Sequence, residues 1–114
     1  MASYTPRRGD VVWLTFDPQA GHEQFGRRPA FVISPYPYNQ KAGLFIVCPI
    51  TSQVKGYPFE VPISTKSGIR GVVLADQIKS LDWRARKAEF VEAAVADIVD
   101  DVIARILPLI DDAT

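Results

Sequence analysis

One stretch of the sequence, residues 21–29, concentrates side chains that could do chemistry. It places an imidazole, a carboxylate and two guanidiniums within seven positions, at His22, Glu23, Arg27 and Arg28. Histidine and glutamate can move protons, and arginine can hold two oxygens of an anion at once. Such groups on a loop beside an apolar strand are typical of binding and catalytic sites. A solvated hairpin loop with an incidental Glu–Arg pair would have the same composition.

The size and composition of the chain predict a single folded domain. It has 114 residues, the length of one domain, and 47% of them are apolar, which argues against intrinsic disorder. No apolar run approaches the ~20 residues that a membrane span needs. The N-terminus lacks the apolar stretch of a secretory signal. We therefore expect a cytoplasmic protein with no membrane partner.

The counts of metal-binding side chains argue against a metal centre. The chain has one cysteine, Cys48, and one histidine, His22, so the usual zinc ligands cannot be assembled. The carboxylates before residue 92 are dispersed, which does not favour a two-metal site. The apolar neighbours of Cys48 predict a buried side chain rather than a nucleophile. We expect neither a metal nor another cofactor.

Charge is unevenly distributed along a chain whose formal net charge is zero. Residues 1–91 contain 12 Lys and Arg against 7 Asp and Glu, a net charge of +5. Residues 92–114 contain 1 against 6, a net charge of −5. A basic body followed by an acidic segment favours a face that binds polyanions, set apart from an acidic helix. An ordinary charged surface would explain the same counts.

Short runs of β-branched and aromatic residues, separated by turn residues, predict a mainly β fold. A turn or short helix ended by Gly43 should lead into a nearly continuous apolar strand that is central and buried on both faces. We expect Trp13, in the first strand, to lie in the core. The predicted strands cover residues 9–16, 28–34, 44–50, 59–63, 71–75, 78–81 and 88–91.

The last part of the chain changes to helical spacing. Apolar residues from Val95 to Ile110 recur on one face of a helix of about four turns. Pro108 should end or kink that helix near Leu107. Short, turn-punctuated strands followed by one helix indicate a small, bent β-barrel with a C-terminal helix packed on it, as one domain over residues 1–114.

Several short motifs follow one another in order between residues 8 and 86. They are Gly9-Asp10-Val11-Val12-Trp13, Phe16-Asp17-Pro18, Gly21-His22-Glu23-Gln24, Arg28-Pro29, Ser34-Pro35, Pro49-Ile50-Thr51-Ser52, Lys55-Gly56-Tyr57-Pro58-Phe59 and Asp76-Gln77. Any one motif alone is weakly specific. Together they resemble the MazF/PemK (Kid) family of toxin endoribonucleases, most closely its MazF branch, and the C-terminal helix also fits.

The resemblance implies an SH3-like barrel of the CcdB/Kid type that forms a homodimer. It further implies metal-independent cleavage of single-stranded RNA, usually mRNA at short sequences. Toxins of this family are inhibited by a cognate MazE-like antitoxin with an acidic, disordered C-terminal tail. Such an antitoxin is therefore the expected protein partner.

The resemblance also implies roles for particular residues. Arg28 and Thr51 match the catalytic arginine and threonine of the family, and Glu23 matches the loop glutamate proposed as base in the MazF branch. Asp76 of the Asp-Gln motif matches the base of the Kid branch. That branch has a catalytic arginine two residues earlier, where this chain has Leu74. The difference places more weight on Arg28.

RNA carries its own nucleophile, the ribose 2′-OH, so the enzyme must position it, take its proton and stabilise the phosphorane. Arg28 suits charge stabilisation, because a guanidinium is not readily deprotonated. The Thr51 hydroxyl could reach a non-bridging oxygen or bond to neighbouring backbone. Glu23 and His22 are rival bases. Asp76 is a third candidate or could orient Arg28, with Gln77 beside it in a supporting place.

Aromatic and basic residues in the polar loops are candidates for holding the substrate. Aromatic faces stack unpaired bases, and cations follow phosphates. The lysines should contribute salt-sensitive affinity rather than sequence specificity. The predicted RNA-binding residues are Phe25, Arg27, Lys55, Tyr57 and Lys79.

Two other functions are compatible with a small barrel of this kind. A CcdB-like barrel poisons gyrase without catalysis, but that activity goes with a C-terminal Trp-Gly-Ile signature, and this chain ends with Asp111-Asp112-Ala113-Thr114. A barrel that binds RNA without cutting it is the second alternative. An assay of RNA cleavage against binding and against gyrase inhibition separates the three.

Overall fold

A seven-stranded antiparallel sheet forms most of the fold in the computed structural model, which describes residues 4–16 and 26–111. Its strands are β1 (Asp10–Thr15), β2 (Arg27–Val32), β3 (Leu44–Thr51), β4 (Glu60–Ser64), β5 (Arg70–Leu74), β6 (Lys79–Asp82) and β7 (Glu89–Ala93). The helices of this part of the chain are α1 (Tyr36–Ala42) and α2 (Ala96–Ile110). The mainly β prediction with a C-terminal helix is confirmed, and each predicted strand is present.

The sheet curls because β3 pairs with different strands along its length. The strand order is β4-β5-β3-β2-β1-β7, and β6 also pairs with β3. Residues Leu44 to Val47 of β3 pair with β6, whereas Ile50 and Thr51 pair with β5. The sheet therefore bends into an open half-barrel around β3, which confirms that this strand is central.

Alternating side chains build a hydrophobic core on each face of the sheet. One cluster joins the sheet to α2 and includes Val11, Phe31, Cys48, Ile50, Val102 and Ile106. The other cluster lies on the opposite face and includes Val12, Leu14, Ala30, Val32, Phe45, Val47 and Trp83. Because β1, β2 and β3 contribute to both clusters, a slip of one residue in pairing would exchange the two cores. The predicted burial of β3 on both faces is confirmed.

Both helices end near the predicted places, with one correction. Gly43, with φ of 71°, ends α1 in the left-handed conformation that glycine adopts without strain. Of the two predicted effects of Pro108, an end of α2 near Leu107 is wrong, because the helix continues through Pro108 to Ile110, and a kink stays a prediction. Pro108 removes only the bond to the carbonyl of Ala104, and both residues are exposed to solvent.

Trp13 does not lie in the core, contrary to the prediction from its strand. Its side chain is 38% exposed, whereas its neighbours Val12 and Leu14 are fully buried. The alternation of β1 places Trp13 on the face opposite to them, beyond the end of the core, where it lines a groove. None of the helices in residues 4–16 and 26–111 is long and apolar enough to cross a membrane.

Candidate active site

A cleft of about 480 Å³ opens where β2 begins, where β3 ends and where β5 turns into β6. Seven of the residues singled out in the sequence line this one cleft, although they are separated by up to 51 positions along the chain. They are Arg28, Thr51, Lys55, Tyr57, Asp76, Gln77 and Lys79. The fold therefore brings together most of the predicted site.

Arg28 and Thr51 are brought together by the pairing of β2 with β3. The antiparallel register places Ala30 opposite Pro49. Arg28 and Thr51 each lie two residues beyond this pair on their own strands, and both line the cleft. Side chains directly opposite each other in an antiparallel pair share a face. Both residues also line a second groove of about 640 Å³, so they form the boundary between two adjoining depressions.

The guanidinium of Arg28 is available to a ligand. Its side chain is exposed, and no hydrogen bond or ion pair joins it to another residue in the described part of the chain. A structural pair with Asp10 is not found, since Asp10 accepts hydrogen bonds from the Tyr4 hydroxyl at 2.6 Å and the Arg7 N–H at 3.0 Å. No ion pair joins Arg28 to Asp76 either.

The hydroxyl of Thr51 is held in place by its own backbone surroundings. Its Oγ1 accepts a hydrogen bond from the Gln53 N–H at 3.1 Å, which leaves its proton free to be donated elsewhere. Gly71 of β5 packs against the Thr51 backbone so closely that a Cβ there would lie 2.0 Å from the Thr51 carbonyl oxygen. The predicted backbone bond and a substrate contact are therefore compatible.

Asp76 and Gln77 occupy the turn that carries the chain from β5 to β6. Because both strands pair with β3, this turn lies beside the middle of β3. The Gln77 N–H donates to the Leu74 carbonyl at 3.0 Å, which closes the turn. Leu74, in place of the Kid-branch arginine, lines the cleft with an apolar side chain.

Arg27 is the described candidate that the structure does not bring into the cleft. Its guanidinium donates to the Thr15 hydroxyl at 3.0 Å and to the Lys87 carbonyl at 2.9 Å. It also forms an ion pair with Glu89 at 3.2 Å. These contacts join the edges of β1 and β7, so the RNA-binding role of Arg27 is left without support from its position.

Three predicted residues, His22, Glu23 and Phe25, lie outside the described part of the chain. The residues that bracket this segment are fixed, since the Phe16 N–H donates to the Gly26 carbonyl at 2.7 Å. Phe16 itself lines the cleft.

Phe16 and Glu60 are among the residues of the cleft wall that the sequence did not assign to the site. Phe16 follows β1 directly and precedes the region of residues 21–29. This position could have suggested that Phe16 belongs to the site. Glu60 interrupts the apolar run of residues 59–63. An acidic residue in an otherwise apolar strand, just after the glycine-containing loop 52–59, indicates a carboxylate that accepts hydrogen bonds within the protein.

Burial makes Cys48 a poor nucleophile. Removal from water and, to a smaller extent, the charge of Asp76 raise the pKa of its thiol to about 12. Its side chain belongs to the core cluster beneath α2. The predicted burial of Cys48 is confirmed. The chemistry of the cleft therefore depends on the residues around Arg28.

The model of PemK-like, MazF-like toxins of type II toxin–antitoxin systems matches residues 7–110. The chain belongs to this toxin family. It is 52% identical to the endoribonuclease toxin MazF of Escherichia coli (strain K12) over 88 residues, which are 77% of this chain and 78% of that protein.

Solved structures of MazF proteins agree with the fold described above. MazF from Deinococcus radiodurans (form I) is 53% identical and superposes with a TM-score of 0.84, covering 94% of this chain and 97% of that one. A MazE–MazF complex from the same organism (form II) gives 46% identity and a TM-score of 0.83, covering 96% and 98%. The predicted fold class and the predicted place in the MazF branch are confirmed.

Proposed function

We propose that this MazF-like toxin is a metal-independent endoribonuclease that cuts single-stranded RNA, and mRNA in particular, at short sequences. The observation that carries the proposal is that Arg28, whose guanidinium has no partner among the described residues, lines the same open cleft as Thr51. A planar guanidinium binds two phosphate oxygens, and a hydroxyl beside it donates to a third. The relatives named above are endoribonuclease toxins, which agrees with this chemistry.

The reaction needs only groups that RNA and this cleft supply. The ribose 2′-oxygen attacks the adjacent phosphorus as a base takes its proton, and the bond from phosphorus to the 5′-oxygen breaks. Arg28 stabilises the charge on the phosphorane, and Thr51 donates a hydrogen bond to a non-bridging oxygen. The departing 5′-oxygen receives a proton from solvent or through water held by Arg28. The products are a 2′,3′-cyclic phosphate and a 5′-OH end.

The general base is one of Glu23, His22 and Asp76. Asp76 stands in the cleft wall with an exposed carboxylate, and the other two belong to the segment that begins at Phe16. A base must lie within hydrogen-bond reach of the 2′-OH. The substitutions Glu23→Gln, His22→Asn and Asp76→Asn identify it, because only loss of the base removes the corresponding limb of the pH–rate profile.

Residues on either side of Arg28 would hold the RNA chain. Tyr57 is 60% exposed and lines the cleft between Lys55 and Gln77, so its ring is free to stack on a base. Lys55 and Lys79 are exposed cations in the same wall, suited to following the phosphates. These contacts lie along one cleft, which suits a single strand rather than a duplex.

We further propose that the toxin forms a homodimer and is inhibited in the cytoplasm by a MazE-like antitoxin with an acidic tail. The solved MazE–MazF complex from Deinococcus radiodurans supports a partner of this class. An acidic tail would compete with RNA for the basic cleft. Sedimentation of the purified toxin tests the dimer. Co-expression with the MazE-like protein encoded nearest to the toxin gene tests the inhibition.

Cleavage of a long transcript in EDTA tests the enzymatic function, with cut sites mapped by primer extension. Arg28→Ala should lower the rate ~100-fold or more, as removal of a main transition-state stabiliser does. Arg84→Ala is the matched control, because Arg84 stacks on the Trp83 ring at 4.7 Å, outside the cleft. Equal cleavage by wild type and Arg28→Ala would contradict the assignment.

The same assay separates the two alternative functions. RNA binding with no cleavage at any concentration of toxin would indicate a binding barrel. Inhibition of gyrase supercoiling with intact RNA would indicate a CcdB-like poison. The presence of Arg28 and Thr51 in one cleft favours cleavage over both alternatives.

A further inference from the structure

Glu60 is the buried charged residue in the described part of the cleft wall. Its side chain is only 8% exposed, whereas Arg28, Lys55, Asp76 and Lys79 are all exposed. A carboxylate removed from water is costly unless it accepts hydrogen bonds. The partners of Glu60 therefore show what holds this part of the cleft together.

The carboxylate of Glu60 accepts hydrogen bonds from two successive backbone N–H groups. The Lys55 N–H reaches Oε1 at 3.2 Å and Oε2 at 3.1 Å, and the Gly56 N–H reaches Oε1 at 2.9 Å. The Glu60 N–H in turn donates to the Tyr57 carbonyl at 3.1 Å. One acidic residue thus bonds to three consecutive positions of the loop of residues 52–58, here called the clamped loop.

The clamped loop depends on these bonds because its surroundings give it little else. All of its residues are exposed, and Gly56 adopts a φ of 82° with open space around it. Beyond Glu60, the Gln53 N–H bonds to Thr51, and the Arg105 guanidinium donates to the Pro58 carbonyl. Without the carboxylate, the Lys55 and Gly56 N–H groups would turn to water and the loop would sample many conformations.

We infer that Glu60 is a positioning residue for RNA binding: its carboxylate orders the clamped loop so that Lys55 and Tyr57 are presented to the substrate before it arrives. The inference rests on the proposed function and deepens it. Pre-ordering removes the entropy that binding would otherwise lose in fixing two long side chains. Glu60 acts on substrate affinity and leaves the chemical step at Arg28 and Thr51 unchanged.

Steady-state cleavage of a short RNA that contains a mapped cut site tests the inference. Glu60→Ala should raise KM ~10-fold, which corresponds to a loss of about 1.4 kcal/mol in the free energy of RNA binding. The kcat of this variant should stay within ~3-fold of wild type. Glu60→Gln keeps one oxygen that accepts the same N–H groups, so it should restore KM to within ~3-fold. Amide hydrogen exchange should become faster at Lys55 and Gly56 in Glu60→Ala and stay slow in β3.

Two controls separate this role from a general loss of stability. Asp82 also accepts two successive backbone N–H groups, those of Arg84 and Ala85 at 3.0 and 2.9 Å, in a turn outside the cleft. Asp82→Ala should leave KM unchanged. In a Lys55→Ala/Tyr57→Ala background, Glu60→Ala should raise KM by less than ~2-fold, because the side chains it positions are already gone.

Three outcomes would contradict the role of Glu60 or the proposed function on which it rests. An unchanged KM in Glu60→Ala, in a toxin that cleaves RNA, would overturn the inference and leave the proposed function standing. A full ~10-fold effect in the Lys55→Ala/Tyr57→Ala background would also overturn it. A wild-type protein that neither binds nor cleaves RNA would overturn the proposed function and this inference with it.

Discussion

Arg27 and Arg28 show how neighbouring residues of the same type acquire different tasks. The sequence predicts a second strand that begins at Arg28, with Arg27 in the loop before it as a contact for RNA. The strand begins at Arg27, and residues one apart in a strand face opposite sides. Arg27 therefore binds the edge of β7 while Arg28 faces the cleft. The predicted start of β2 was off by one residue, and this error was enough to assign the Arg27 side chain to the wrong side of the sheet.

The Thr51 hydroxyl can be tested by a change that alters little else. Thr51→Val keeps the branched shape and removes the hydroxyl, so kcat for RNA cleavage should fall ~100-fold if the hydroxyl stabilises the phosphorane. Thr51→Ser retains the hydroxyl and should stay within ~10-fold of wild type. Single-turnover cleavage measures both variants, and similar rates for Val and Ser would rule out the donor role.

The raised pKa of Cys48 makes stability depend on alkaline pH. The folded-state pKa of about 12 lies above the usual value of 9.0, so the thiol contributes stability that is complete below pH 9 and is lost as pH rises through 12. Between pH 8 and 10.5, wild type should lose about 2 kcal/mol more unfolding free energy than Cys48→Ala. Urea denaturation at the two pH values measures the difference, and parallel losses would contradict it.

Among the elements, β3 explains most of what the sequence could and could not predict. Its apolar run predicted a central strand buried on both faces, and two cores confirm this. No local pattern indicated that β5 and β6 would share one edge of β3, because strand pairing is set by contacts between distant residues. The place of Asp76 in the same cleft as Thr51 follows from that pairing, so only the family resemblance suggested it.

The contact between β5 and the end of β3 predicts an intolerant position. In Gly71→Ala the new Cβ would lie 2.0 Å from the Thr51 carbonyl oxygen, so β5 and β3 must separate. We expect a loss of about 3 kcal/mol or more in unfolding free energy, together with reduced cleavage. Gly43→Ala is the control: with no atom within 4 Å of its Cβ, it should cost about 1 kcal/mol. Urea denaturation compares the two.

At the scale of the whole molecule, the uneven charge of the sequence corresponds to separate surfaces. The described cleft residues include Arg28, Lys55 and Lys79. By contrast, α2 carries acidic residues, and one of them, Asp97, lies in its first turn. Composition could predict the imbalance and its sign. It could not predict that three of the cations share one wall, because they come from three separate segments.

This distribution predicts a salt-dependent affinity for RNA. Each phosphate contact releases counterions, with a slope of about −0.7 per contact in a plot of log K against log salt concentration. Lys55→Ala and Lys79→Ala should each make the slope less steep by about 0.7, and Lys41→Ala, on the exposed end of α1, should not. Fluorescence anisotropy of a labelled oligonucleotide with 2′-deoxyribose at the cut site measures the slopes.

The placement of Arg28 and Thr51 on two paired strands has an evolutionary consequence. Both residues are anchored by strands whose packing tolerates no slippage, whereas residues 52–58 are tied to the body mainly through one carboxylate. Relatives can thus vary this one short segment, and with it their affinity for RNA, while inheriting the cutting chemistry intact. Grafting residues 52–58 from another toxin should change KM for RNA cleavage and spare kcat.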